Sequence, residues 1–139
     1  MGFLIDSSLL VAHERGSLDL TELSRERIAG REEEAFYVSV VTASELLHGV
    51  HRADDPARRA QRSAFVEAIL SQIPVLAIDL PAARAHAELW AGLAVAGTPV
   101  GAHDLWIAAT AVSRGLALVT LNRREFDRIP GLVVEDWSA

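Results

Sequence analysis

The chain has 139 residues, half of them hydrophobic and 23% charged, which is room for one domain with its own core over residues 1–139. It has no cysteine, which excludes disulfides and thiolate metal sites and fits a reducing, cytoplasmic setting. The formal net charge of −6 excludes a protein that holds nucleic acid over a broad basic surface, though not a nuclease that meets the phosphate through metal ions. The apolar stretches also fall short of the ~20 residues that span a bilayer, and the N-terminus lacks the basic region of a signal peptide.

The first run, Phe3–Ile5, is short, apolar and stopped by Asp6, as a buried strand would be. Residues 7 to 13 read as a short capped helix and residues 19 to 29 as a second. A strand is expected over 36–40, with Ser39 or Thr42 starting a helix that reaches about Val50. Asp54-Asp55-Pro56 opens a fourth helix carrying Phe65, Ile69 and Leu70. After a third strand over 75–78, Pro81 suits the first turn of a fifth helix ending near Gly97, with Asp79 placed to cap it. A very apolar sixth helix begins near Asp104 and is closed by Gly115. Strands over 116–120 and 132–134 complete the series. Short strands alternating with helices indicate an α/β fold: a central, mostly parallel five-stranded sheet flanked by helices, in three α/β/α layers.

In such a sheet the ligand crevice lies beyond the carboxyl ends of the strands, where strand order reverses, and right-handed crossovers bring the residues after successive strands to that edge. Asp6, Asp104 and the 120–125 turn are placed there, with Glu45 within reach from its helix. A cluster of carboxylates suits a hard cation such as Mg²⁺, which takes oxygen ligands and keeps several waters.

Each acid also has an ordinary reading. Asp6, beside the hydroxyls of Ser7 and Ser8, can be a helix cap. Asp104 at a helix N-terminus satisfies both capping and the helix dipole. At about 100° per residue, Glu45 points roughly 150° away from the stripe of Ala43, Leu46, Leu47 and Val50, so solvent is its default. Asn122 and Glu125 are ordinary turn residues, with Asp127 as an alternative acid, and Thr120 or Asn122 can orient a ligand or a water. Arg58, Arg59 and Arg62 read as a solvated helix face.

Taken in order, Leu4-Ile5-Asp6-Ser7-Ser8, Val41-Thr42-Ala43-Ser44-Glu45-Leu46-Leu47-His48-Gly49, His103-Asp104-Leu105-Trp106-Ile107-Ala108-Ala109-Thr110-Ala111 and Leu118-Val119-Thr120-Leu121-Asn122-Arg123-Arg124-Glu125-Phe126 resemble the PIN-domain ribonucleases. In length and layout the chain is similar to the VapC toxins of bacterial toxin-antitoxin pairs, from end to end. The resemblance implies an endoribonuclease dependent on Mg²⁺ or Mn²⁺, with an acidic cluster of Asp6, Glu45, Asp104 and a fourth position in the 122–125 turn, for which Glu125 is the candidate. It turns Glu45 toward the site, against the periodicity. Asp6 and Asp104 would ligate one principal ion, with Glu45 beside them. Ser8, Thr120 and Asn122 would support ligand or water, and Arg123 and Arg124 would grip RNA phosphates. A cognate VapB-type antitoxin that inserts an arginine, a homodimer and a larger toxin-antitoxin assembly are the implied partners. One departure stands out: family members often carry Asp where this chain has Asn122 or Glu125.

Two other readings compete. His48 and His51, at i and i+3, could form half of a zinc site, but no third ligand is apparent. A catalytically inactive PIN-like module that only binds RNA or protein is the alternative, against which the retained Asp6, Glu45 and Asp104 stand. Neither G-x-S-x-G nor G-x-x-x-x-G-K-[ST] occurs.

Overall fold

The computed structural model describes residues 2–138. Strands β1 (Phe3–Ile5), β2 (Phe36–Ser39), β3 (Val75–Leu76), β4 (Ala117–Thr120) and β5 (Val134–Asp136) pair in the order β3-β2-β1-β4-β5, every pairing parallel. Phe3 of the central β1 lies beside Phe36 on one side and Ala117 on the other. The chain runs outward from β1 to β3 and then crosses back to β4. Strand order therefore reverses between β1 and β4, where an open parallel sheet has its crevice.

The six helices are α1 (Ser7–Glu14), α2 (Leu20–Arg27), α3 (Val40–Arg52), α4 (Pro56–Gln72), α5 (Leu80–Ala96) and α6 (Ala102–Arg114). Strand side chains alternate between faces, so two cores form. Phe3, Ile5, Ala117 and Val119 pack with Leu9 and Leu10 of α1, Leu46 and Val50 of α3 and Val66 of α4. Leu4 and Leu118 face the other way, onto Leu89 and Leu93 of α5 and Leu105, Ile107 and Ala108 of α6. Both faces of the sheet are covered, which is why the central strands β1 and β4 are buried throughout and largely apolar rather than alternating.

Several boundaries differ from expectation. Val40 belongs to α3 and not to β2, because the Ser39 side chain caps the helix by accepting from Thr42 N at 3.0 Å. Strand β3 is only two residues long, and β5 begins at Val134, after the Gly131 turn at φ +79°. Helix α6 begins at Ala102, which puts Asp104 in its first turn instead of at its cap. Asp79 does cap α5, accepting from Ala82 N at 3.0 Å, and Gly97 and Gly115 close α5 and α6 in the left-handed conformation. The expected solvated face of α4 holds at Arg58 and Arg59, which are exposed, and is corrected at Arg62, which is partly buried. Arg59 donates to Ala53 O at 2.7 Å, and Arg62 ties α4 to α1 and α3 through Glu14 at 3.1 Å and Gly49 O at 3.0 Å. No helix among the described residues is long and apolar enough to cross a membrane.

Candidate active site

At the end of β1 the backbone N–H of Asp6 still donates to Val119 O at 2.9 Å, so the parallel ladder delivers Asp6 beside the last residue of β4. Its carboxylate is buried and takes two hydroxyl donors on the same oxygen: Ser8 Oγ at 2.8 Å and Thr120 Oγ1 at 2.9 Å from Oδ2. Neither hydroxyl engages Oδ1. Asp6 precedes α1, yet its side chain makes no capping bond. Thr120 and Ser8 are themselves held, since Asn122 N donates to Thr120 Oγ1 at 3.0 Å and Leu121 N to Ser8 Oγ at 3.1 Å. The turn after β4 thus fixes the Asp6 rotamer from two sides.

Asp104 reaches the same edge from α6. Gly101, the cap residue, donates its backbone N–H to Glu125 Oε2 at 3.4 Å, and this holds Glu125 against the start of the helix beside Asp104. The Asp104 carboxyl is pushed up to about 7 by its burial first, then by a hydrogen bond with Glu125 and by the charges of Asp6, Glu125 and Glu45. Several carboxylates therefore compete for one region, despite a helix N-terminus that would favour the anion.

Glu45 completes the group, and its placement corrects the periodic reading. Ala43, Leu46 and Val50 do face the core. Glu45 nevertheless does not stand free in solvent: it is partly buried, lining a cleft with Ser7 of α1 and His103 of α6, two helices that both contact α3. Glu45 Oε1 is buried with no hydrogen-bond partner among the described residues, while Oε2 lies 3.6 Å from His103 Nδ1. Burial, then the Asp6 charge, raises the Glu45 carboxyl above its ordinary range, and His103 and Ser7 offset part of that rise.

The remaining candidates separate clearly. Asp127 pairs with Arg123 at 2.9 Å on the surface, so of the two acids in this turn Glu125 is the one turned toward Asp104. Asn122 and Arg124 are exposed. His48 and His51 are exposed on α3 and gather no third ligand among the described residues. His103, at the mouth of the site, was not singled out from the sequence; its place next to Asp104 on the helix was the available signal.

Among the described residues no three His, Cys, Asp or Glu side chains close on one point at coordination distance, so the acids form an open basin and not a cage. The donor set nevertheless fits a hard divalent ion. It consists of carboxylate oxygens, one of them buried without a partner, and its mutual repulsion is what a cation would relieve. Such a basin can attract a cation, orient a phosphate through it and leave room for water.

The PIN-domain family model matches residues 3–132. The chain is 45% identical over 100 residues to the tRNA(fMet)-specific endonuclease VapC of Salmonella typhimurium, covering 72% of this chain and 74% of that protein. It is 34% identical over 134 residues to ribonuclease VapC1 of Rickettsia felis, covering 96% and 95%. Among solved structures, VapBC2 from Rickettsia felis bound to a promoter DNA fragment superposes with a TM-score of 0.87 at 25% identity, covering 99% of this chain and 100% of that one. DNA-bound VapBC from Salmonella typhimurium gives 0.83 at 36% identity, covering 99% and 98%. With its parallel sheet and acidic edge set beside these matches, the chain belongs to the PIN-domain family, in the branch of the VapC ribonucleases.

Proposed function

We propose that the chain is a Mg²⁺-dependent endoribonuclease, with Mn²⁺ able to substitute, and that Asp6, Glu45, Asp104 and Glu125 are its working groups. The observation that carries this reading is electrostatic: Asp6, Glu45 and Glu125 lie near enough to Asp104 to raise its carboxyl, together with burial, to about 7, and Glu45 Oε1 is unpartnered among the described residues. Asp6, Asp104 and Glu45 would hold the ion. A bound divalent ion supplies charge stabilisation at the scissile phosphate and an activated water for in-line displacement. Thr120 and Ser8 keep Asp6 aimed by donating to Oδ2. Glu125 sets Asp104 in place, and His103 lies where it can shield Glu45 at the mouth.

The same reading makes the chain the toxin of a cytoplasmic toxin-antitoxin pair, restrained by a VapB-type antitoxin and assembled with it as a toxin homodimer in a larger complex. Its support is the likeness to the VapBC complexes of Salmonella typhimurium and Rickettsia felis. Initiator tRNA is the first RNA to try, since a relative 45% identical is named for it. The test is cleavage of that tRNA and of total cellular RNA by purified protein with Mg²⁺, with EDTA, and with Asp6→Asn. Cleavage that EDTA and Asp6→Asn both abolish is expected. RNA affinity without cleavage under Mg²⁺ or Mn²⁺ would favour the inactive binding module instead.

A further inference from the structure

The cleft that opens beside Glu45 and His103 continues past the acids. It has a volume of about 720 Å³ and runs along α1 and α3 to Arg15, Arg52 and Arg62. A second hollow of about 410 Å³ shares Glu14, Arg15 and Arg62 with it and carries on to Arg58 on α4. The two form one trough, acidic at the site and lined by arginine beyond it.

These arginines differ in what they do. Arg62 is engaged, bonded to Glu14 and to Gly49 O, so it neutralises the acid in this stretch and braces the floor. Arg15, Arg52 and Arg58 are exposed, and their guanidinium groups meet no acceptor among the described residues. For Arg15 at the C-cap of α1 and Arg52 in the last turn of α3, helix-dipole compensation is a sufficient structural role. It does not account for Arg58, which stands in the first turn of α4, where the dipole disfavours a cation. Three exposed forks without a partner among the described residues also line these two hollows in a chain whose overall balance is 19 acidic against 13 basic residues. Planar guanidinium groups suit phosphate oxygens.

We propose that this trough is a phosphate track, in which Arg15, Arg52 and Arg58 hold the backbone of an RNA strand leading away from the scissile phosphate. The track rests on the ribonuclease reading for its purpose, but its charge chemistry is tested by binding alone. In the Asp6→Asn background with EDTA, anisotropy of a fluorescein-labelled single-stranded RNA of 20 mixed nucleotides is followed from 50 to 300 mM KCl. Each lost phosphate contact lowers the log-log salt slope by about 0.7, so the triple Arg15→Gln, Arg52→Gln, Arg58→Gln variant loses about 2 in slope and about 50-fold in affinity at 0.15 M salt. Arg84→Gln, exposed on α5 away from the trough, leaves both unchanged. Should the triple variant fold poorly, the single Arg58→Gln change carries the same test at about 0.7 in slope. Slopes equal to the parent's, or losses matched by Arg84→Gln, overturn the track. So does unchanged RNA binding with lost binding of poly-L-glutamate, which would make the trough a dock for an acidic protein segment. A wild-type chain that binds RNA through these arginines but cleaves none under Mg²⁺ or Mn²⁺ counts against the ribonuclease reading and not against the track.

Discussion

Replacing Asp104 by Asn should stabilise the metal-free protein at high pH while removing its activity. The Asp104 carboxyl rises from 3.8 to about 7 on folding because it is buried among other acids. A group whose folded value is raised lends its full stability below the unfolded value and loses it as the pH climbs through the folded one. The folded state therefore weakens between about pH 4 and pH 7. A rise of about three pH units corresponds to about 4 kcal/mol in a closed site. Asp104 is only half-buried, and solvent screening reduces this to about 1–2 kcal/mol. Asn also forgoes the favourable dipole interaction in the first turn, about 0.3–1 kcal/mol. The net expectation is a gain of about 1 kcal/mol for Asp104→Asn at pH 8, fading toward pH 4, in urea unfolding with EDTA present. Adding Mg²⁺ at ten times its dissociation constant should return about 1.4 kcal/mol to the wild type and far less to the variant. A variant less stable than wild type at pH 8, or a gain of equal size at pH 4, would refute the electrostatic argument.

Other substitutions separate the roles around the basin. Thr120→Val removes the donor at 2.9 Å from Asp6 and should lower cleavage about 10–100-fold, read as kcat/KM on a tRNA substrate; an unchanged rate would mean that Asp6 needs no support from β4. Glu125→Gln should depress cleavage, whereas Asp127→Ala, which frees only the exposed Arg123, should not; the reverse order would move the fourth acid to position 127. Asp79→Ala should cost about 1 kcal/mol through the lost cap on α5, seen in thermal unfolding, with cleavage intact. Its ion pair with Arg114 is exposed and adds little.

The sequence by itself determined the layered architecture, because short apolar runs alternating with capped helices have few other ways to bury both faces of a parallel sheet. It also placed Asp6 at the crevice, since the residue that ends a central strand lands at that edge whatever the packing details. Ordered motif blocks supplied the family and so the expectation for Glu45. Only the tertiary structure decided the rest. Periodicity describes one helix against one core, and it sent Glu45 to solvent; contacts of α3 with α1 and α6 leave it partly buried in a cleft beside Ser7 and His103. Caps are local, but which oxygen engages them is not: Asp6 and Asp79 both precede helices, yet Asp79 bonds Ala82 N while Asp6 is drawn away by Thr120, a residue 114 positions along the chain. The choice between Glu125 and Asp127 likewise depends on which donor each meets, Gly101 N for the first and the exposed Arg123 for the second. Burial and long-range hydrogen bonding set these outcomes, and neither is visible in the spacing of residues along the chain.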